Sequence, residues 1–387
     1  MTRPAADGGF GLYVHWPFCT SKCPYCDFNS HVAGGINQMA WADALCREIR
    51  RAAAETRGER LESIFFGGGT PSTMPPATVA AVIETATDAW SSTPEIEITL
   101  EANPGSSDAA AFESFAAAGV NRLSVGVQSL RDPALRALGR RHDAAEAIAA
   151  VARAQRIFPR VSLDLIYARE NQSVGEWVSE LTEAIGLGTG HLSLYQLTIE
   201  PGTPFAARRA RGGLRGLPDE DLGAELFAVT QEICGAAGFS AYEVSNHARA
   251  GEASRHNLVY WRGGRWAGVG PGAHGRLGGA GARVATEAIR APGKWLAAVS
   301  AVGSGEACRT AVPAGEAAEE YLIMALRLEE GLSLRRLRGL DPTVAAAERI
   351  APLVADGLLL QDGDRLAATL AGRLVLDAVI VALAGGE

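Results

Sequence analysis

Lysine is nearly missing from this 387-residue chain: Lys22 and Lys294 are its only two, so 34 of the 36 basic residues are arginine. We read that skew, with the abundance of alanine and glycine, as a compositional bias and not as a site. Excess positive charge is missing too. The net charge is −8 and the isoelectric point near 5.5, which excludes a protein that coats nucleic acid through charge alone. Long apolar runs are absent. Although 47% of the residues are hydrophobic, no run approaches the ~20 residues of a membrane span, and the first residues lack a basic-then-apolar leader. Cysteine is scarce, and three of the six crowd one loop. That excludes a small secreted scaffold stapled by disulfides and points to a reducing, cytoplasmic setting.

That loop is the most informative segment present. Cys19-Thr-Ser-Lys-Cys23-Pro-Tyr-Cys26 follows the apolar stretch Phe10 to Trp16 with C-x3-C-x2-C spacing. A [4Fe–4S] cluster takes one thiolate per iron, so a loop offering three holds a cluster and leaves one iron open to an outside ligand. Structural zinc remains an alternative at this point. It would need a fourth ligand, and His15 and His31 lie near enough in sequence.

Short β-branched stretches alternate with Ala-rich segments whose apolar residues recur every three or four positions. The strands are expected at Gly11–His15, Ser63–Phe66, Glu95–Leu100, Arg122–Val127, Val161–Tyr167 and His191–Thr198. Strand alternating with helix means a parallel sheet. Six units are fewer than the eight of a closed barrel, so the expected fold is α/β: a partial, open (β/α)6 barrel over residues 1–240. Residues 241–310 read as an extension with a Gly-rich stretch, Gly263 to Gly281, expected as loop. Residues 311–387 read as helices followed by a hairpin with an Asp-Gly turn, the order of a small α+β winged helix. Eight Arg against thirteen acidic residues in 301–387 give the wrong sign for phosphate contacts, so a packing or interaction domain is expected, with no nucleic-acid partner.

Polar residues sit at the strand ends, where parallel α/β folds gather ligands. Gly67-Gly68-Gly69-Thr70-Pro71 follows the second strand, and its glycines allow close backbone approach and offer N–H groups. Glu101 ends the third strand, Gln128 the fourth, and Arg140 lies one helix later. Asp164 lies inside the apolar fifth strand, costly for a carboxylate unless paired or used. Tyr13 and His15 come from the first strand. Such groups suit a ligand with an amino-acid end and a ribose: a carboxylate pairs with Arg, an ammonium with Glu and glycine carbonyls, and hydroxyls with Asp or Gln.

Tyr13-Val-His-Trp-Pro17, the cysteine loop and Gly67-Gly-Gly-Thr-Pro71 together resemble a radical S-adenosylmethionine (SAM) protein, more narrowly the family of oxygen-independent coproporphyrinogen III oxidase and its haem-chaperone relatives. The resemblance implies that Cys19, Cys23 and Cys26 hold a [4Fe–4S] cluster and that SAM chelates the open iron. It also implies that Tyr13, Gly68, Gly69, Thr70, Glu101, Gln128, Arg140 and Asp164 surround SAM. Reductive cleavage of SAM is the family chemistry, the kind of work a cofactor performs and a protein orients.

Within the family, the oxidase has a fourth cysteine two residues past the third and a substantial segment before the cysteines. Here that position is Phe28, and 18 residues precede Cys19. The resemblance is therefore to the chaperone branch, which implies haem as cargo and haem-accepting apoproteins, membrane-associated acceptors among them, as partners of a monomer or homodimer. Radical decarboxylation of a porphyrinogen is the alternative, and a zinc-containing structural or DNA-binding module a second. Arg255-His-Asn-Leu-Val-Tyr-Trp261 resembles the H-N-x-x-Y-W signature of the chaperone branch, making His256 the expected haem ligand. A packing role is its bland alternative, and His274 is a weaker candidate ligand. One departure stands out: where the family has a Gly-Leu-Pro-Gly-Gln-like turn after the fifth strand, this chain has Ala168-Arg-Glu-Asn-Gln172.

Overall fold

The computed structural model describes residues 8–105, 109–279 and 282–385. Six strands, β1 (Phe10–Trp16), β2 (Arg60–Gly68), β3 (Ser91–Ala102), β4 (Arg122–Gln128), β5 (Arg160–Tyr167) and β6 (His191–Gln196), lie side by side in chain order. Each pairs in parallel with the next. Helices α1 (Gln38–Glu55), α2 (Pro76–Ala89), α3 (Phe112–Ala117), α4 (Ala144–Ile157) and α5 (Val174–Gly186) make the crossovers. Alternation along β1 explains the layers. Leu12, Val14 and Trp16 are fully buried in the main hydrophobic core, whereas Gly11, Tyr13 and His15 face Ser63, His256 and Asn29. Asp143 and Ser173 start α4 and α5 with capping boxes, and Asn37 caps α1.

β1 and β6 do not pair with each other, so the barrel is open. Beyond β6 the sheet continues antiparallel through β8 (Asn246–Ala248) to β7 (Ser240–Glu243), which α6 (Glu220–Ala236) precedes. Beyond β1 it gains a seventh parallel strand, β9 (Arg265–Val269), then the antiparallel β10 (His274–Leu277), β11 (Val284–Ala288) and β12 (Glu306–Ala311). The Gly-rich stretch expected as loop therefore carries β9 and β10. The reason is close approach: a Cβ on Gly268 would lie 2.1 Å from the His274 carbonyl oxygen, and one on Gly264 2.6 Å from that of Gly8. These glycines let backbones meet, and their density around two short strands makes the stretch read as loop.

α7 (Arg255–Trp261) lies before β9, and α8 (Pro292–Val302) between β11 and β12. From α9 (Ala314–Ala325) the chain forms a second core around Leu322, Leu326, Leu337, Leu366 and Leu383. Its antiparallel sheet runs in the order Leu332–Ser333, Arg365–Ala368, Leu359–Asp362, the expected helices-plus-hairpin arrangement. Ion pairs Arg327–Glu243 (2.7 Å), Arg276–Glu320 (2.8 Å) and Arg262–Glu330 (2.6 Å) tie it to the barrel sheet.

Candidate functional site

The cysteine loop leaves β1 at the C-terminal ends of the parallel strands and is fastened at both flanks. Phe18–Cys19 pairs in parallel with His31–Val32, and the Cys26 N–H donates to the Cys23 carbonyl (3.2 Å). The glycine segment after β2 grips the same strand, with Gly69 N–H donating to Trp16 O (2.7 Å) and Thr70 N–H to Phe18 O (2.9 Å). Gly68 has φ +112°, and a Cβ there would meet the His15 ring at 2.6 Å. The N–H of Gly68 goes to the Glu101 carboxylate. The N–H groups of Gly69 and Thr70 are therefore engaged by the protein, and the segment braces the cysteine loop.

A cavity of about 810 Å³ opens at these strand ends. Its wall brings together Cys19, Cys23, Cys26, Gly68, Gly69, Thr70, Glu101, Gln128, Arg140 and Asp164. All three thiols are free and partly exposed there, and each has a polar neighbour. Thr70 Oγ1 donates to Cys19 Sγ (3.3 Å), Arg140 Nη1 to Cys23 Sγ (3.7 Å), and Cys26 Sγ lies 3.8 Å from Ser30 Oγ. Burial pushes the Cys19 thiol up, opposed by the Thr70 hydroxyl. Among the described residues no three His, Cys, Asp or Glu side chains converge on a single ion. His15 bonds the Asn29 carbonyl (3.0 Å) and His31 the Asn29 side chain (3.1 Å). The zinc alternative thus finds no assembled ligand set, while separated thiols on one wall suit a cluster whose ligands bind different irons.

The same lining carries two carboxyls. Burial, with the charge of Asp164 added, pushes Glu101 up to about 8. Asp164 is also raised by burial but accepts from Ser124 (2.9 and 3.1 Å) and Ser162 (3.1 Å). Gln128 sits at an irregularity of the β4–β5 pairing with φ +67°, which turns it toward the cavity. Sequence reasoning passed over Asn103 and Ser124. Asn103 accepts from Arg140 and donates to Thr70 Oγ1 (3.3 Å), joining two of the expected residues. Ser124 could have been found from period two, since it shares a strand face with Gly126 and Gln128.

Two expected residues are elsewhere. Tyr13 does not line the cavity: its hydroxyl bonds His15 Nδ1 (3.0 Å) and its ring stacks against Phe65 and His256. It braces β1 beneath the cysteine loop. His256 is 1% exposed, with Nδ1 bonded to Ser63 Oγ (2.8 Å) and Nε2 to Tyr260 Oη (2.8 Å). Burial lowers it to about 3. Both nitrogens an iron could use are occupied, so in this structure His256 is a packing residue and not an available ligand. The departing turn after β5 keeps a glycine-like backbone: Ala168 has φ +56° and Asn171 +60°.

An open parallel barrel with three cysteines beside a glycine segment defines the radical SAM class, and the chain belongs to that superfamily, which residues 13–181 match; residues 312–375 match the HemN C-terminal domain. Within it, the chain belongs to the family of HemN and HemW. It is 37% identical over 380 residues to the heme chaperone HemW of Mycobacterium tuberculosis, covering 97% of this chain and 95% of that protein. It is 40% identical over 403 residues to the cattle mitochondrial radical S-adenosyl methionine domain-containing protein 1, covering 98% and 91%. The solved coproporphyrinogen III oxidase HemN of Escherichia coli superposes with a TM-score of 0.80 at 22% identity, over 98% of this chain and 91% of that one; this likeness carries the fold alone.

Proposed function

We propose that the chain holds a [4Fe–4S] cluster on Cys19, Cys23 and Cys26, binds SAM in the adjoining cavity, and carries haem to haem-accepting apoproteins. The observation that supports this most is the convergence of the cysteine loop, the glycine segment, Glu101, Gln128, Arg140 and Asp164 on one cavity. The donor set fits the group, with three free thiols, a hydroxyl on Cys19 and a guanidinium beside Cys23. When bound, the cluster supplies single electrons and the SAM sulfonium accepts them. The chain's own residues orient. Arg140, which burial would lower but Tyr25 and Cys23 hold above its usual value, is placed for a carboxylate next to the cluster. Glu101 and the glycine carbonyls suit an ammonium, and Asp164 and Gln128 suit ribose hydroxyls. Phe28, 59% exposed on the cavity rim, stands where the oxidase branch has its extra cysteine, which favours the chaperone reading. Clustered free thiols favour a reducing compartment; among the described residues no helix is long and apolar enough to cross a membrane.

Of the seven histidines, only His31 and His274 are exposed. His31 pairs with Phe18 beside Cys19, and Asn29 of the same loop bonds the Pro271 carbonyl (2.9 Å), three residues before His274. The exposure of His31 and His274 makes them the imidazoles a haem iron could reach, with His31 Nε2 then leaving Asn29 Oδ1. Anaerobic reconstitution, with iron and sulfide analysis followed by haem titration, tests the reading. Near four irons per chain and an imidazole-type haem spectrum lost in the His31→Ala/His274→Ala double variant are expected. Zinc in place of iron would overturn the reading, as would protoporphyrinogen formed from coproporphyrinogen III, SAM and a reductant.

A further inference from the structure

A buried line of hydrogen bonds runs from the carboxylate of Asp164 down the barrel interior. Ser162 Oγ donates to Asp164 Oδ1 (3.1 Å) and lies 2.7 Å from His191 Nδ1. His191 Nε2 lies 2.9 Å from Tyr242 Oη, which accepts the Ser254 N–H (3.4 Å). His191 and Ser162 are each 1% exposed, and neither lines the cavity. Ser162 has one hydroxyl proton, and its Oγ also lies 3.3 Å from Ser193 Oγ, where either atom could donate. If Ser162 donates to the carboxylate, it must accept from Nδ1–H, and Nε2 then accepts from the Tyr242 hydroxyl. Each group donates once toward Asp164.

From this geometry we infer that His191 is a positioning residue: through Ser162 it holds the Asp164 carboxylate as an acceptor facing the cavity. The inference rests on the reading that this cavity takes SAM. The imidazole stays neutral, as the line requires, because burial and then the charges of Arg122 and Arg160, with His247, lower it well below the usual histidine range. Ser193 from β6 and Ser124 from β4 support the same carboxylate, so losing the line weakens the site and does not abolish it.

The test separates hydrogen bonding from packing. His191→Leu keeps bulk and loses the donor, while His191→Asn keeps a donor near the Nδ1 position and loses bulk. SAM affinity of the anaerobically reconstituted protein, at matched iron and sulfide content, is expected to fall about fivefold in His191→Leu and Ser162→Ala, with no further fall when they are combined. His191→Asn should stay within about twofold of the unaltered protein. Unchanged affinity in His191→Leu, or equal loss in His191→Asn, would overturn the role. Crystal structures of the cluster-free variants give a readout independent of SAM. The Asp164 carboxylate should keep its orientation in His191→Asn and turn in His191→Leu and Ser162→Ala; an unturned carboxylate in the last two overturns the inference. An unaltered protein that binds no SAM would instead count against the proposed function.

Discussion

The guanidinium of Arg169 is ion-paired with the carboxylate of Glu180 inside the protein, and that carboxylate also accepts from the Ser129 hydroxyl (2.5 Å) and the Leu130 N–H (2.7 Å). The pair joins the turn after β5 to the residues directly following Gln128. Burial would push Glu180 up; Arg169, Ser129 and Leu130 together hold it below the usual carboxylate range. In this way the chain steadies a turn that departs from the family's glycine- and proline-containing sequence.

Removing one member of that pair leaves a buried charge. Arg169→Met is expected to cost about 3–5 kcal/mol, and Arg169→Met/Glu180→Leu to cost less than the single change. Chemical denaturation of the two variants checks this, and equal losses would count against the pair.

Ala168 adopts a left-handed backbone (φ +56°) that favours glycine. Ala168→Gly removes Cβ strain and is expected to stabilise the protein by roughly 1 kcal/mol. A lower melting temperature in calorimetry would refute this.

The Glu101 carboxyl, pushed up to about 8, titrates between its ordinary value near 4.5 and that pH. There the folded protein binds the extra proton, so this group's contribution to stability falls as pH rises across the window. Glu101→Gln should flatten that slope. The proposed SAM site sets positive charge beside this carboxyl, so SAM uptake near pH 7 should release a proton, absent in Glu101→Gln. Titration calorimetry in buffers of different ionisation enthalpy measures it.

His256→Ala strands the Ser63 and Tyr260 hydroxyls in the barrel floor. A stability loss of about 2–4 kcal/mol is expected, from one to two unsatisfied buried groups, with the haem spectrum unaltered. A lost imidazole-type spectrum in a stably folded His256→Ala would return this residue to the haem site.

Local chemistry made much of the site legible in the sequence. Cys19, Cys23 and Cys26 lie within one loop, and Gly67 to Pro71 within another, so spacing alone carries their meaning. Short β-branched stretches between Ala-rich helical segments revealed the six strands, and their order placed Glu101, Gln128 and Asp164 on neighbouring strands. The glycines at 263, 264, 268, 270 and 272 gave no such signal: crowded around the short Arg265–Val269 strand they read as loop, and β9 was hidden there.

What the tertiary structure decided depends on residues far apart in the chain. His256 beside Tyr260 and Trp261 reads as a ligand in one dimension; Ser63, 193 positions away, makes it a packing residue. Glu101 is pushed up because folding brings it to Asp164 in a dry wall, and His191 reaches Asp164 only through Ser162 on the neighbouring strand. The sequence by itself determined the cysteine loop, the strand order and the ligand chemistry. Burial and hydrogen-bond direction, which set protonation and access, arise only when the strands stand side by side.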